Sequence, residues 1–222
     1  MDWLILLVLV PVVTVSIVLL LGFAGCTAIL GYEDAQLAPA PPATTAKLFL
    51  IDTATQGSWH GKYGFDGYNV INDGVKYPDY VDVTLHAPQD PNGKIQNPFT
   101  WDDKTLENRA MQKVDVNSVN RLAAAAFGDD LQVPGQLSVD LNFKDGRTHR
   151  VAFYLLDFDT TMRAQDIKIL DAKPPNIMLG SQRASGFQDG QYQVWEIQGQ
   201  VRVEFAKTAG NNAVLSGLFF DT

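Results

Sequence analysis

Residues 136–143, QLSVDLNF, decide the fold class. In an extended chain Leu137, Val139, Leu141 and Phe143 fall on one face, and Ser138, Asp140 and Asn142 on the other. Alternation of period two marks a half-buried strand, whereas an amphipathic helix repeats about every 3.6 residues. GQVRVEFAK at 199–207 repeats the pattern, with Val201, Val203 and Phe205 inward and Arg202 and Glu204 outward. HRVAFYLLDFD (149–159) and NAVLSGLFFD (212–221) are apolar on both faces in part, as strands in the middle of packed sheets are. KLFLIDT (47–53), YVDVTLHA (80–87), DIKILDA (166–172) and QYQVWEIQ (191–198) bring the expected total to about eight to ten short strands. KDGR at 144–147 reads as a tight hairpin, and TLENRAMQK (105–113) is the one window with helical character. Short strands at regular spacing predict an all-β fold of the β-sandwich kind.

Outward from that core, the N-terminus carries the clearest physical signal. Residues 3–26, WLILLVLVPVVTVSIVLLLGFAGC, contain no ionisable side chain before Cys26. As a helix, residues 3–24 would rise about 33 Å, against a hydrocarbon core of about 30 Å. Pro11 is tolerated in a transmembrane helix, where Thr14 and Ser16 can offer hydroxyls to the carbonyls it frees. The run is too long, and its flank too poor in Lys and Arg, for a cleavable signal peptide. FAGC, with small residues before Cys26, leaves a lipoprotein signal as the alternative. The expectation is an uncleaved single transmembrane helix within 1–26, followed by a Pro- and Ala-rich linker over 27–46 and the β-sandwich domain over 47–222. Orientation rests on the usual outcome for an N-terminal signal-anchor, because the first basic residue is Lys47. That outcome places the protein in a bacterial cytoplasmic membrane with its domain in the periplasm.

Composition excludes several classes of function. A net charge of −8 without a basic stripe argues against a nucleic-acid partner. The single cysteine closes no internal disulfide, and His60, His86 and His149 lie too far apart in sequence to suggest a zinc site. No cofactor is expected. There is no G-x-S-x-G elbow; Ser216 sits in an apolar strand with its hydroxyl expected on backbone, and His149 is expected to face solvent. The chain is read as non-catalytic.

Two stretches remain as candidate sites. GSWHGKYGFDGY (57–68) fails as a phosphate loop, because Gly57 and Gly61 are too close together and Tyr63 follows Lys62 where a hydroxyl is required. Trp59, Tyr63 and Tyr68 could stack on sugar rings while Asp66 and Asn69 bond hydroxyls. Equally, the glycines could make turns while the rings plug one end of a sandwich, and the balance favours this structural reading. DFDTTMR (157–163) brings Asp157, Asp159 and Arg163 together. It reads as an acid/base pair, a calcium site or, with most weight, a capped turn or surface ion pair.

With those motifs set out, GSWHGKYGFDGYNVIND, HRVAFYLLDFD and NAVLSGLFFD resemble a module found at the ends of large secreted bacterial proteins. Its pattern is G-x-W-x-G-x-Y-G-x-x-G-Y near the start and an LSGLFFD-type strand at the close. Gly57, Trp59, Gly61, Tyr63, Gly64, Gly67 and Tyr68 match the first motif, and the resemblance spans about residues 48–221. It implies a galactose-binding-like jelly roll, with no ligand carried over. This chain departs from that context by having no catalytic neighbour and by carrying its own apolar segment.

Two functions follow as expectations. The first is an accessory subunit whose helix packs against integral-membrane proteins and whose sandwich stabilises or caps a larger assembly, photosynthetic reaction-centre–antenna or respiratory. The second is a membrane-tethered carbohydrate-binding module.

Overall fold

A computed structural model describes residues 43–128 and 136–222. The expected transmembrane helix and most of the linker lie outside the described residues, and among these no helix is long and apolar enough to cross a membrane. Pro41–Thr222 form one compact unit.

The described chain is all-β. In chain order its strands are β1 (Thr45–Asp52), β2 (Gly67–Val70), β3 (Gly74–Lys76), β4 (Val81–His86) and β5 (Phe99–Thr105). Next come β6 (Met111–Gln112), β7 (Arg121–Gly128), β8 (Leu137–Phe143), β9 (His149–Leu155) and β10 (Ala164–Asp171). The last are β11 (Met178–Ser185), β12 (Gln191–Gln198), β13 (Gln200–Ala209), β14 (Ala213–Leu215) and β15 (Gly217–Asp221). One sheet has the order β1-β12-β9-β15-β2-β3, a second β11-β10-β13-β8-β4, and a third β14-β7-β5 with β6 beside β7. All pairings are antiparallel.

The first two sheets pack face to face as a sandwich. Leu137, Val139 and Leu141 of β8 and Val201, Val203 and Phe205 of β13 share one core with Val151, Phe153 and Leu155 of β9. Phe153 meets Phe205 edge-on at 5.6 Å between ring centroids. The alternation in QLSVDLNF is the inner face of this second sheet.

The middle strands of the six-stranded sheet are buried on both sides, which is why β9 and β15 do not alternate. Ala152, Tyr154, Leu156 and Phe219 point the other way, into a second cluster with Trp59, Tyr63, Met111 and Tyr192. The segment between β1 and β2, together with β6 and β7, forms the lid over that face.

Side-chain amides complete the third sheet. Val214 of β14 stands opposite Phe127 of β7. Gln165 Nε2 donates to the Val214 carbonyl at 2.9 Å, and the Val214 N–H donates back to Gln165 Oε1 at 2.8 Å. On the far side, Asn97 Nδ2 donates to the Phe127 carbonyl at 2.7 Å, and the Phe127 N–H donates to Asn97 Oδ1 at 3.1 Å. Both amides are buried, so each replaces the neighbouring strand that the backbone there would otherwise need.

Several sequence expectations are corrected. TLENRAMQK is not helical: it ends β5, turns through Glu107–Ala110 with a 3.0 Å backbone bond, and supplies β6. Pairing of Met111 with Leu122 and of the Gln112 N–H with the Gly57 carbonyl outweighs local helix propensity. KDGR does turn, with Gly146 at φ 69°, but it links β8 in one sheet to β9 in the other. It is a sandwich corner. His149 does not face solvent; it is buried, stacked 3.9 Å from Tyr80 and hydrogen-bonded through Nε2 to Asp145 at 2.9 Å. NAVLSGLFFD is two strands split at Ser216, whose Oγ is buried without a hydrogen-bond partner among the described residues. β1 starts at Thr45, two residues ahead of the domain boundary expected at 47.

Candidate binding site

The glycine- and aromatic-rich corner after β1 is built inward. A Cβ on Gly57 would lie 1.8 Å from the Ala110 carbonyl oxygen, so only glycine lets these two backbones meet. That approach seats Trp59 in the second cluster at 4% exposure, with its Nε1 donating to the Gln112 carbonyl at 2.8 Å. Tyr63 is also buried; it stacks on Tyr192 at 4.4 Å and donates its hydroxyl to Asp52 Oδ2 at 2.7 Å. Burial works to raise the Asp52 pKa, but bonds from Thr55, Tyr63 and Ala54 outweigh it and hold the carboxyl below its ordinary range. Burial, with Asp52 beside it, drives the Tyr63 phenol strongly upward, so it stays a neutral donor.

The rest of the motif is fastened in the same way. Asp66 accepts from the Tyr80 hydroxyl at 3.0 Å, Asn69 donates to the Tyr77 hydroxyl at 2.7 Å, and half-buried Tyr68 leans on Trp59 at 5.0 Å. Asp221 accepts the Gly64 and Phe65 N–H groups at 3.2 and 2.7 Å, tying the corner to the last strand. Trp59 and Tyr63 therefore present no open ring face, and the corner is architecture rather than a stacking platform.

The loop from β9 to β10 is different. Asp157 and Arg163 are 1% and 3% exposed, a buried pair rather than the surface pair expected. Asp157 accepts from the Thr160 hydroxyl at 2.7 Å, from the Arg163 N–H at 3.0 Å and from the guanidinium. Burial pushes the Asp157 pKa up, yet these bonds prevail and keep it lowered. Arg163 Nη1 also reaches Asp159, and Nε donates to Asn212 Oδ1 at 2.7 Å. Asp157, Asp159 and Arg163 are thus brought together, with Arg163 at the centre. Only Asp157 and Asp159 supply carboxylates here, and among the described residues no three His, Cys, Asp or Glu side chains converge on a metal-sized site.

Arg163 forms one wall of a cleft of about 160 Å³, with Ile95, Phe99, Trp101, Phe127, Asp159, Asn211 and Asn212 around it. The guanidinium carbon lies 5.5 Å from the Trp101 ring centroid, and Phe99 meets Trp101 edge-on at 5.9 Å. Sequence reasoning missed Trp101, Phe99, Asn211 and Asn212. They come from β5 and the β13–β14 turn, and no spacing in the chain announces that the two would meet.

A second concavity of about 420 Å³ lies on the outer face of the five-stranded sheet, near Asp82, Asp140 and Arg202. Its charges answer one another: Arg202 donates twice to Asp140, at 2.7 and 2.9 Å, His86 meets the same carboxylate, and Lys144 reaches Asp82. Such a self-satisfied surface network offers little to a ligand.

The border strand β1 is the other unusual surface. Phe49, Leu50 and Ile51, three consecutive apolar residues, are 48%, 43% and 39% exposed. Among the described residues β1 pairs only with β12, and its register slips between Leu48 and Leu50. Natural border strands are normally guarded by charge, proline or brevity; here the Arg150 guanidinium lies 4.0 Å over the Phe49 ring, while Leu50 and Ile51 carry no charge of their own.

Compared with known proteins, the chain matches no family model and no curated protein.

Proposed function

We propose that the chain is a non-catalytic, single-pass accessory subunit, whose galactose-binding-like jelly roll caps the extracytoplasmic face of a larger bacterial membrane assembly. The observation that carries this reading is β1. The uncharged run over 3–24 is long enough to span a bilayer, and the proline-rich stretch at 39–42 leads directly into this strand. The first described strand after that stretch is an apolar border with Phe49, Leu50 and Ile51 exposed. Unpaired backbone edged by apolar side chains is what an apolar strand or loop of a partner protein covers. A photosynthetic reaction-centre–antenna or a respiratory assembly supplies such a partner.

The test is co-purification from native membranes in mild detergent. The full-length chain is expected to co-migrate with a large pigment- or haem-containing assembly, and Leu50→Lys to release it without changing its thermal unfolding. Migration of the wild-type chain alone would sink the proposal.

A further inference from the structure

The loop from β4 to β5 carries chemistry that neither candidate stretch uses. We infer that Asn92 is a self-modifying position: it closes a succinimide with Gly93, opens to isoaspartate, and thereby releases the Asn97 clamp on Phe127. This inference is independent of the accessory-subunit reading.

The reacting atoms sit in an open turn. Residues 92–93 are the only Asn–Gly step in the chain. The Asn92 N–H donates to Asp90 Oδ1 at 2.8 Å, and the Gly93 N–H to the Asp90 carbonyl at 3.0 Å. Asn92 and Gly93 are both exposed, and a Cβ built on Gly93, at φ 66°, would meet nothing within 4 Å. Opening this turn uncovers no buried apolar surface, so the Gly93 N–H is readily freed from its bond.

The chemistry needs only water and base. Deprotonated by hydroxide, the Gly93 nitrogen attacks Asn92 Cγ; the N–Cγ bond forms, the Cγ–Nδ2 bond breaks, and water returns a proton to the departing ammonia. Water then adds to one of the two ring carbonyls. Opening at the side-chain carbonyl gives aspartate. Opening at the main-chain carbonyl gives isoaspartate, with the chain now running through Cβ and Cγ.

A second turn shows why Asn92 is singled out. At residues 115–118 the Asn117 N–H donates to Asp115 Oδ1 at 2.9 Å, and the Ser118 N–H to the Asp115 carbonyl at 3.0 Å. The hydrogen bonding is the same, and Asn117 is exposed too. There, however, the attacking nitrogen belongs to Ser118, whose Cβ crowds the approach to Asn117 Cγ. Gly93 has no Cβ.

The product disturbs a loop with a job. Asp90 Oδ2 accepts the Lys94 and Ile95 N–H groups at 2.6 and 2.8 Å, which fastens the chain that leads to Asn97. Buried Asn97 donates to the Pro88 carbonyl at 2.6 Å and holds both polar groups of Phe127. Isoaspartate adds one methylene to the main chain ahead of Gly93 and leaves a second carboxylate beside Asp90. The added length carries the N–H groups of residues 93–95 off Asp90, and the like charges repel. Asn97 is then no longer fixed against Phe127, whose N–H and C=O become an unpaired stretch open to another strand. An irreversible step of this kind counts the age of the molecule and reports it as a strand-pairing edge.

The experiment ages the full-length chain in mild detergent at mildly alkaline pH. Peptide mapping by mass spectrometry reads amide-to-acid conversion, and isoaspartyl methyltransferase labelling reads the isomer. Asn92 is expected to convert at least about tenfold faster than Asn117 in the same sample. In the isoaspartate fraction, hydrogen exchange of the Phe127 amide is expected to quicken at least about tenfold. Asn92→Gln, whose longer side chain would need a six-membered ring, should hold both readouts constant through the same incubation. Absence of conversion at Asn92, conversion to aspartate alone, or equal rates at Asn92 and Asn117 would overturn the inference. So would unchanged Phe127 exchange in the isoaspartate fraction, or an equal rise in Asn92→Gln.

Discussion

Replacing Trp59 with Ala tests whether the GSWHGKYGFDGY corner is structural. The side chain is 4% exposed and packs on Phe219 at 5.2 Å and Tyr68 at 5.0 Å. Truncating a buried Trp to Ala costs about 3–5 kcal/mol, the transfer loss plus the cavity left behind. The indole bond to the Gln112 carbonyl contributes about 1 kcal/mol of this, since its partner is left without a donor. The worked figure is therefore about 4 kcal/mol for Trp59→Ala. Trp59→Phe keeps a ring and loses the donor, and should cost about 1–2 kcal/mol. Urea unfolding of residues 41–222, followed by far-UV circular dichroism, reads both through the shift in midpoint at constant slope. A loss below about 1 kcal/mol for Trp59→Ala would refute the reasoning, because an exposed ring is what gives so small a change.

Three further outcomes follow from the same geometry. Gly57→Ala should destabilise by about 1–3 kcal/mol or more, since its Cβ would sit 1.8 Å from the Ala110 oxygen; an unchanged melting temperature would show that the corner is loose. Asp157 is held below its ordinary pKa, so its contribution is complete above the unfolded value of about 3.9 and lost as pH falls through the folded value. Asp157→Asn should therefore cost about 3–5 kcal/mol at neutral pH, with the gap to wild type closing in acid; a gap independent of pH would contradict the ion pair. Chelator should leave the thermal unfolding of residues 41–222 unchanged, and a large drop would make Asp157 and Asp159 ligands after all.

Strands with one wet face were legible in the sequence, and strands with two dry faces were only partly so. QLSVDLNF and GQVRVEFAK alternate because the outer face of the second sheet meets solvent, whereas β12, buried on both faces over most of its length, was legible residue for residue as QYQVWEIQ through its aromatic and β-branched residues. RLAAAAFG, the fully covered β7, escaped because alanine carries no strand signal and its reason for being small lies in neighbours distant in sequence. Asp157, Asp159 and Arg163 were found as a group because a single loop carries them. Their burial was not, since it depends on Asn212 and on Trp101 approaching from other strands. His149 was misjudged for the same reason: Tyr80, which stacks on it, and Phe143, which packs beside both rings, are remote or unremarkable in the chain.

The amide clamps on β7 and β14 bear on how the molecule avoids polymerising. A sheet border recruits another chain because its N–H and C=O groups point outward in a row, and one satisfied pair extends to the next. At Val214 and Phe127 that row is terminated from both sides by Gln165 and Asn97, each meeting a donor and an acceptor at once. A side chain, unlike a strand, has no onward edge to offer, so the ladder stops at the clamp instead of being passed to a neighbour. This part of the sandwich is closed to strand addition, in contrast to β1, whose outer edge has no such stopper among the described residues.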